Sequence, residues 1–371
     1  DQTLDMTVVK ENNRFSIKKK YIVGGPSRNG KTTLVNILYK KHQRVIGLPV
    51  EGLFDIFYYQ RYPLIKLQKN IILREYFLKK RFTNETRTQS AKPIDFCKSN
   101  LDDISNRIPK RHNHQLQIIS SGLDVFAKNN RALTWAVCDL HPERLFNVYK
   151  GYIPDLHLII MLRDPREAIC ANLYWRCYPE KNINSKQVLK WATMMWIFSA
   201  QAFLNLKKKF KDDVTLFFFN DLVKGEKREC NKLSTLLEIP GKSINDYFAG
   251  RDPFFTHLKG KFLTPDEKIK RLITSEEIAF IEYFTKYYIE KFEWKILFKP
   301  NKDMQISNDI SKFRNFLEEV LVILKISPQK AMEYIYSTMN YSRKQYLKKK
   351  KNRWKYEIRR NVRNISLLFQ K

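Results

Sequence analysis

The segment Gly25-Pro26-Ser27-Arg28-Asn29-Gly30-Lys31-Thr32 satisfies the pattern G-x-x-x-x-G-K-[ST] in full. An apolar run, YIVGG, precedes it and a helix-forming run follows, which is the context that gives the pattern meaning. Its chemistry is the holding of phosphate oxygens. Glycines let backbone N–H groups turn inward, and the following helix adds the positive end of its dipole. Lys31 adds a point charge, and Thr32 and Thr33 add hydroxyls. In a nucleoside-triphosphate enzyme, Lys31 reaches the β- and γ-phosphates and Thr32 holds Mg²⁺. Asp139, just past the apolar run ending at Cys138, is the candidate second metal ligand for that chemistry.

A second cluster is Leu162-Arg163-Asp164-Pro165-Arg166-Glu167-Ala168, directly after the apolar run HLIIML. An arginine at the C-terminal end of a parallel strand, beside a helix N-terminus, sits where open α/β sheets bind ligands. Its planar fork suits phosphate. Here the chain resembles the sulfotransferases that use 3′-phosphoadenosine 5′-phosphosulfate, whose members carry an apolar strand, then Leu-Arg-Asp/Asn-Pro, then a helix. Ile22–Leu34 is similar to the family's first loop, Asn220-Asp221-Leu222 to its Glu-Asp-Leu, and Leu236–Pro240 to its Phe-Leu-Gly-Leu-Pro. The match runs from about Ile22 to Trp294, and the order and spacing of the motifs carry it. The chain departs at Asn29, where the family has serine, at Lys31, where it has threonine, and at Ala171, where a helix serine is usual.

The resemblance implies 3′-phosphoadenosine 5′-phosphosulfate as co-substrate with no metal required. Ser27, Arg28, Asn29, Gly30, Lys31, Thr32 and Thr33 hold the 5′ phosphosulfate, and Arg163 holds the 3′-phosphate. Asn172, beside Ala171, stands in for the missing hydroxyl. Sulfuryl transfer builds negative charge on the leaving bridging oxygen and the sulfuryl oxygens, which placed cations stabilise. Arg28 and Lys31 take that role. The acceptor, a hydroxyl or amine of a glycan, lipid or small molecule, needs a base. His141 and Glu51 are the two candidates.

The elements that must position these groups alternate. Strands are expected at Tyr21–Gly25, Leu133–Cys138, His157–Leu162 and Val214–Phe219. Helices are expected at Lys31–Lys41, Leu64–Phe82, Gln115–Lys128, from Pro165, at Gln187–Phe210, up to Leu237 and at Ser275–Phe292. Strands apolar throughout, each followed by a helix, indicate an α/β class: a three-layer, P-loop-type parallel sheet flanked by helices. The aromatic run Phe217–Phe219 reads as core, as do Trp191 and Trp196. Past residue 300 the chain is all-helical. The division is therefore an N-terminal extension (1–20), a sulfotransferase-like domain (21–299) and a helical basic C-terminal extension (300–371). Variable acceptor-binding loops are expected at Pro49–Arg111 and Tyr247–Leu263.

The net charge is +31, a strong field for anionic partners. Five cysteines without C-x-x-C spacing argue against a disulfide framework or zinc site and fit a reducing, cytoplasmic compartment. No apolar run reaches the roughly 18 residues needed to span a bilayer. The chain does not begin with Met, which leaves room for a preceding segment, an anchor included. The stretch Tyr341–Lys371 carries twelve Lys/Arg and one Glu. It suits an anionic membrane surface, with Leu367, Leu368 and Phe369 as apolar anchors. Nucleic acid is not an expected partner of the sulfotransferase reading. Two other readings stay open: a P-loop kinase or NTPase, and a non-catalytic basic protein binding nucleic acid or membrane on a nucleotide fold.

Overall fold

The structure is a computed structural model that describes residues 19–41, 44–51, 54, 72–73, 106–107, 114–177, 185–239, 242, 273–294 and 308–339. The helix expected at 64–82, nearly all of the two acceptor-loop regions, most of the N-terminal extension and the basic stretch 341–371 lie outside these residues.

Among the described residues five strands form one parallel sheet: β1 (Lys20–Gly24), β2 (Val45–Glu51), β3 (Thr134–Cys138), β4 (Leu156–Leu162) and β5 (Val214–Phe218). Their spatial order is β2-β3-β1-β4-β5, and every pairing is parallel. β1 is central because it is apolar on both sides. Ile22 faces one layer, with Leu158, Ile160 and Leu162 of β4. Tyr21 and Val23 face the other, with Ile159 and Met161. This alternation is the two-residue period of a strand covered on both faces.

The second face is covered by α1 (Lys31–Lys41), through Leu34, Val35, Ile37 and Leu38, and by α7 (Lys227–Leu237). The first face is covered by α2 (Gln115–Asn129), α3 (Phe146–Tyr152), α4 (Pro165–Cys177), α5 (Ser185–Phe210) and α8 (Ser275–Lys291). A short α6 (Phe219–Lys224) joins β5 to α7. α5 is buried nearly all round over 26 residues, as expected of a helix apolar on every face, and Trp191 and Trp196 lie in that core. Two further helices, α9 (Asn308–Ile326) and α10 (Pro328–Thr338), bury Phe313, Leu317, Val320, Ala331, Met332 and Ile335 in the same cluster. Residues 308–339 are thus continuous with the core of the sheet domain. Among the described residues no helix is long and apolar enough to cross a membrane.

Among the described residues the strand and helix spans agree with the sequence expectation within two residues, with three differences. β2 goes beyond the expectation, because Gly47 and Pro49 in VIGLPVE read as breakers. β2 is an edge strand among the described residues, a position where proline is tolerated since one side needs no ladder donor. α3 also goes beyond it, being seven residues long with Gly151 inside it. Finally, β5 stops at Phe218 and Phe219 opens α6, so the aromatic run changes element partway.

His157 sits within β4, its Nε2 2.9 Å from Thr215 Oγ1 and its ring edge-on to Tyr21 at 5.7 Å. Burial, helped by the charges of Lys19 and Lys150, lowers its pKa to about 3. The folded state therefore refuses a proton that the unfolded chain accepts below its ordinary value. Stability from this group is complete above about pH 6.5 and drains away as pH falls toward 3. By about pH 4.5 the loss is roughly 2–3 kcal/mol. Denaturant titrations at several pH values check this. His157→Gln, which keeps a donor for Thr215, is expected to show a shallower decline below pH 6.5 than wild type; an unchanged slope would contradict it.

Candidate functional site

All strands run the same way, so the ends of β1, β3, β4 and β5 share one rim. Register places Val23 beside Cys138, Gly24 beside Ile160, and Leu162 beside Phe218. The chain moves from β1 toward β2 and later returns past β1 to β4, so the sheet reverses direction between β1 and β4. That switch point is where open α/β sheets form a ligand crevice. The 25–33 loop follows β1 and Arg163 follows β4, so both motifs flank it.

The loop is shaped by three left-handed residues: Gly25 (φ +112°), Arg28 (φ +66°) and Gly30 (φ +84°). A Cβ on Gly25 would stand 2.4 Å from the Met161 carbonyl oxygen, and one on Gly30 would stand 2.0 Å from the Phe219 ring. The glycines thus let the loop pack against β4 and under Phe219. Lys31 is buried, and its Nζ donates to the carbonyls of Gly25 and Pro26, both at 2.7 Å. Thr32 Oγ1 lies 3.8 Å from Cys138 Sγ, and Thr33 is buried. Asn29 Nδ2 donates to the Ser27 carbonyl at 2.8 Å. Asn172, on α4, donates to the same carbonyl at 3.2 Å and to Ala168 at 2.9 Å. The amide oxygens of Asn29 and Asn172 are buried without a partner among the described residues. Because both Nδ2 atoms face carbonyls, these oxygens can only accept; they suit a ligand hydroxyl or a water rather than a phosphate oxygen. Asn172 braces the loop from behind.

Arg163 is held by a closed network. Its Nε donates to Glu167 Oε2 at 2.8 Å and to Asn220 Oδ1 at 3.1 Å, and its Nη2 meets Glu167 Oε2 at 2.7 Å. Asn220 Nδ2 returns to Glu167 Oε1 at 2.7 Å. The Arg163 backbone carbonyl accepts from Trp196 Nε1 at 2.9 Å. The guanidinium lies 5.4 Å from the Phe219 ring centre, close enough for cation–π attraction. Burial raises the Glu167 carboxyl and Arg163 opposes that rise. Nη1 meets no partner among the described residues. Arg166 is different: it is buried between Asp164, at 2.5 Å, and Glu282, also at 2.5 Å, and braces α4 against α8.

His141 adopts a left-handed backbone (φ 51°, ψ 50°) at the start of a 3₁₀ turn, Pro142–Arg144. Such strain in a non-glycine residue persists where the surroundings over-determine it. Its Nδ1 lies 3.0 Å from Glu143 Oε1 and 3.2 Å from Ser199 Oγ, all buried. Burial lowers the His141 pKa, Glu143 partly restores it, and Lys31 and Arg144 lower it again. Burial also works to raise the Glu143 carboxyl, but donors from His141 and Ser199 outweigh it and hold it well below the usual carboxylate range. The pair is a neutral imidazole beside an ionised carboxylate.

Glu51 ends β2, its backbone level with Cys138 on the same rim; its side chain lies outside the described residues. Asp139, the candidate metal ligand of the nucleoside-triphosphate reading, accepts backbone N–H bonds from Phe54 at 3.0 Å and Leu140 at 2.8 Å. Both its oxygens already serve the chain. Glu143 and Ser199 contact His141, and Phe219 lies beside Arg163; sequence reasoning does not single out Glu143 or Ser199. Phe219 reads as core from sequence, yet it is half-buried between Gly30 and Arg163. The one available signal for Glu143 is its place two residues past His141.

The fold and rim define an α/β protein with a strand–loop–helix segment at 25–33 and a second cationic residue, Arg163, at the switch point of a parallel sheet. No protein-family profile matches the chain, and no curated protein matches it in sequence. Solved structures that it resembles include the sulfotransferase domain of the Synechococcus PCC 7002 olefin synthase, at 15% identity, covering 76% of this chain and 98% of that one with a TM-score of 0.44. A sulfotransferase domain from the curacin biosynthetic pathway is 12% identical, covering 76% of this chain and 99% of that one with a TM-score of 0.47. The sulfotransferase STF9 from Mycobacterium avium is 12% identical, covering 76% of this chain and 79% of that one with a TM-score of 0.42.

Proposed function

We propose that this chain binds 3′-phosphoadenosine 5′-phosphosulfate and transfers its sulfuryl group to a hydroxyl or amine of a glycan, lipid or small molecule. The observation that carries this is Arg163: a second cationic locus across the switch point from the loop, with Nη1 unpartnered among the described residues. A ligand anchored by both needs two separate phosphate positions, which a 3′,5′-substituted nucleotide has. The charge at Arg163 is tempered by Glu167, so its role is directional recognition more than bulk attraction.

The residues present fit this group. The 25–33 loop and Lys31 take the 5′ end, Arg163 takes the 3′-phosphate, and Phe219 lies between the two loci. Bound there, the group supplies an activated sulfuryl bonded through oxygen to a good leaving phosphate. Lys31 gives up its loop carbonyls to face anionic oxygens, and Arg28 adds a second positive charge on the same loop. His141, with Nδ1–H held by Glu143, offers Nε2 as the proton acceptor for the incoming hydroxyl or amine. Glu51 is the second candidate for that role.

Isothermal titration with adenosine 3′,5′-bisphosphate, adenosine 5′-monophosphate and ATP with Mg²⁺ tests the reading. The bisphosphate is expected to bind most tightly, without metal. Arg163→Gln is expected to weaken the bisphosphate by about 10–100-fold, from the loss of a charge-assisted contact, and to leave the monophosphate unchanged. Tighter binding of ATP with Mg²⁺ than of the bisphosphate would favour the kinase reading instead.

A further inference from the structure

Glu143 has one role that the transfer chemistry does not require of it and that the geometry makes specific. Its two carboxylate oxygens face different parts of the site. Oε1 accepts from Ser199 Oγ at 2.5 Å and meets His141 Nδ1 at 3.0 Å. Oε2 accepts the backbone N–H of Gly25 at 3.3 Å, at the root of the phosphate loop. An ionised carboxylate only accepts, so His141 Nδ1 must carry the proton. Ser199 turns its own hydrogen to Glu143, so its oxygen is free to share that Nδ1–H. The imidazole then has a single tautomer, with its lone pair on Nε2.

The contact between turn and loop is built into the chain rather than incidental. A Cβ on Gly24 would stand 2.6 Å from Pro142 Cγ, 2.8 Å from Pro142 Cδ and 2.9 Å from Glu143 Oε2. Only glycine there lets the turn that carries His141 seat on the last residue of β1. The same turn holds His141 in its left-handed backbone, and α5 closes over it with Ser199 and with Phe198, edge-on to the imidazole at 6.2 Å.

The geometry points to Glu143 as a positioning residue that fixes the Nδ1–H tautomer of His141 and ties it, through the Gly25 amide, to the loop that holds the anion. The proton acceptor and the phosphate cradle are thereby one mechanical unit: the loop cannot shift at Gly25 without moving the carboxylate that orients the imidazole. This deepens the proposed function and rests on it for the role of His141, but the tautomer and the linkage are properties of the chain alone.

The test is ¹⁵N NMR of the histidine side chains in the full chain, with His141 assigned by substitution, beside calorimetry with adenosine 3′,5′-bisphosphate. Wild type is expected to show His141 as the Nδ1–H form. Glu143→Gln, whose amide can donate as well as accept, is expected to lose that preference, with Nε2–H signal appearing. Ser199→Ala, which leaves Glu143 in place, is expected to retain it. Adenosine 3′,5′-bisphosphate is expected to shift the His141 resonances in wild type and to shift them less in Glu143→Gln. A wild-type His141 in the Nε2–H form, or Glu143→Gln with the wild-type tautomer, overturns the proposal. Should Glu143→Gln fail to fold, the wild-type and Ser199→Ala spectra still decide. Absence of bisphosphate binding in wild type would sink the functional reading and leave the tautomer result standing, so the two failures are distinguishable.

Discussion

Gly25→Ala is expected to destabilise the fold by about 3 kcal/mol or more, combining left-handed strain with a backbone clash. Its φ of +112° lies where adding a Cβ costs roughly 1–2 kcal/mol. The added methyl would meet the Met161 carbonyl at 2.4 Å. That carbonyl cannot yield easily, because Met161 lies inside β4, in register with Phe217 of β5. Relief must come from the loop, which pulls Gly25 N–H from Glu143 and disturbs the carbonyls that hold Lys31. Thermal unfolding should show a midpoint lower by about 6 °C or more. Gly151→Ala is the internal control. Gly151 lies in α3, where a Cβ would meet nothing within 4 Å, so alanine there should be neutral or stabilising by about 0.5–1 kcal/mol. Equal effects at the two sites would show that the Gly25 geometry is not a constraint.

Lys31→Met is expected to lower the affinity for adenosine 3′,5′-bisphosphate by about 100-fold, from the loss of the loop's buried cation opposite an anion. Methionine keeps the length and apolar stem of the side chain and removes only the charge and its donors. Some stability is lost too, because the Gly25 and Pro26 carbonyls each lose a donor, an effect of about 1–3 kcal/mol. Titration well below the unfolding midpoint separates the two effects. Lys31→Arg is not a rescue: Lys31 is 7% exposed, and the bulkier planar guanidinium needs space and a different geometry. Binding by Lys31→Met at the wild-type level would remove Lys31 from the anion site.

Much of the architecture was legible because its signals are local. Short runs such as YIVGG and LIIML, roughly four to eight residues long and without polar alternation, suit strands buried on both faces, and helix starts such as Pro165 are marked by residue type. β2 escaped because Gly47 and Pro49 report local backbone preference, whereas an edge position is decided by which neighbours the strand has. Arg163 and Arg166 show the same limit within one motif. They are three residues apart and alike in type, yet among the described residues one keeps a guanidinium nitrogen without a partner and the other is consumed by Asp164 and Glu282. The partner that decides the second case is 116 residues away in sequence.

The amino-acid sequence by itself determined the glycine-bearing loop at 25–33, its flanking strand and helix, and the cationic residues that follow the strand ends. Those features depend on spacing within a few residues, where chain connectivity sets geometry. Only the tertiary structure decided what surrounds them. It brought Glu143 to Gly25 across 118 residues and Ser199 to Glu143 across 56, laid Phe219 over Gly30, and committed Asp139 to backbone amides. The physical reason is that a charge or hydrogen bond takes its meaning from its partners and its burial. In a parallel sheet those partners arrive from separate strands and helices whose meeting is set by packing.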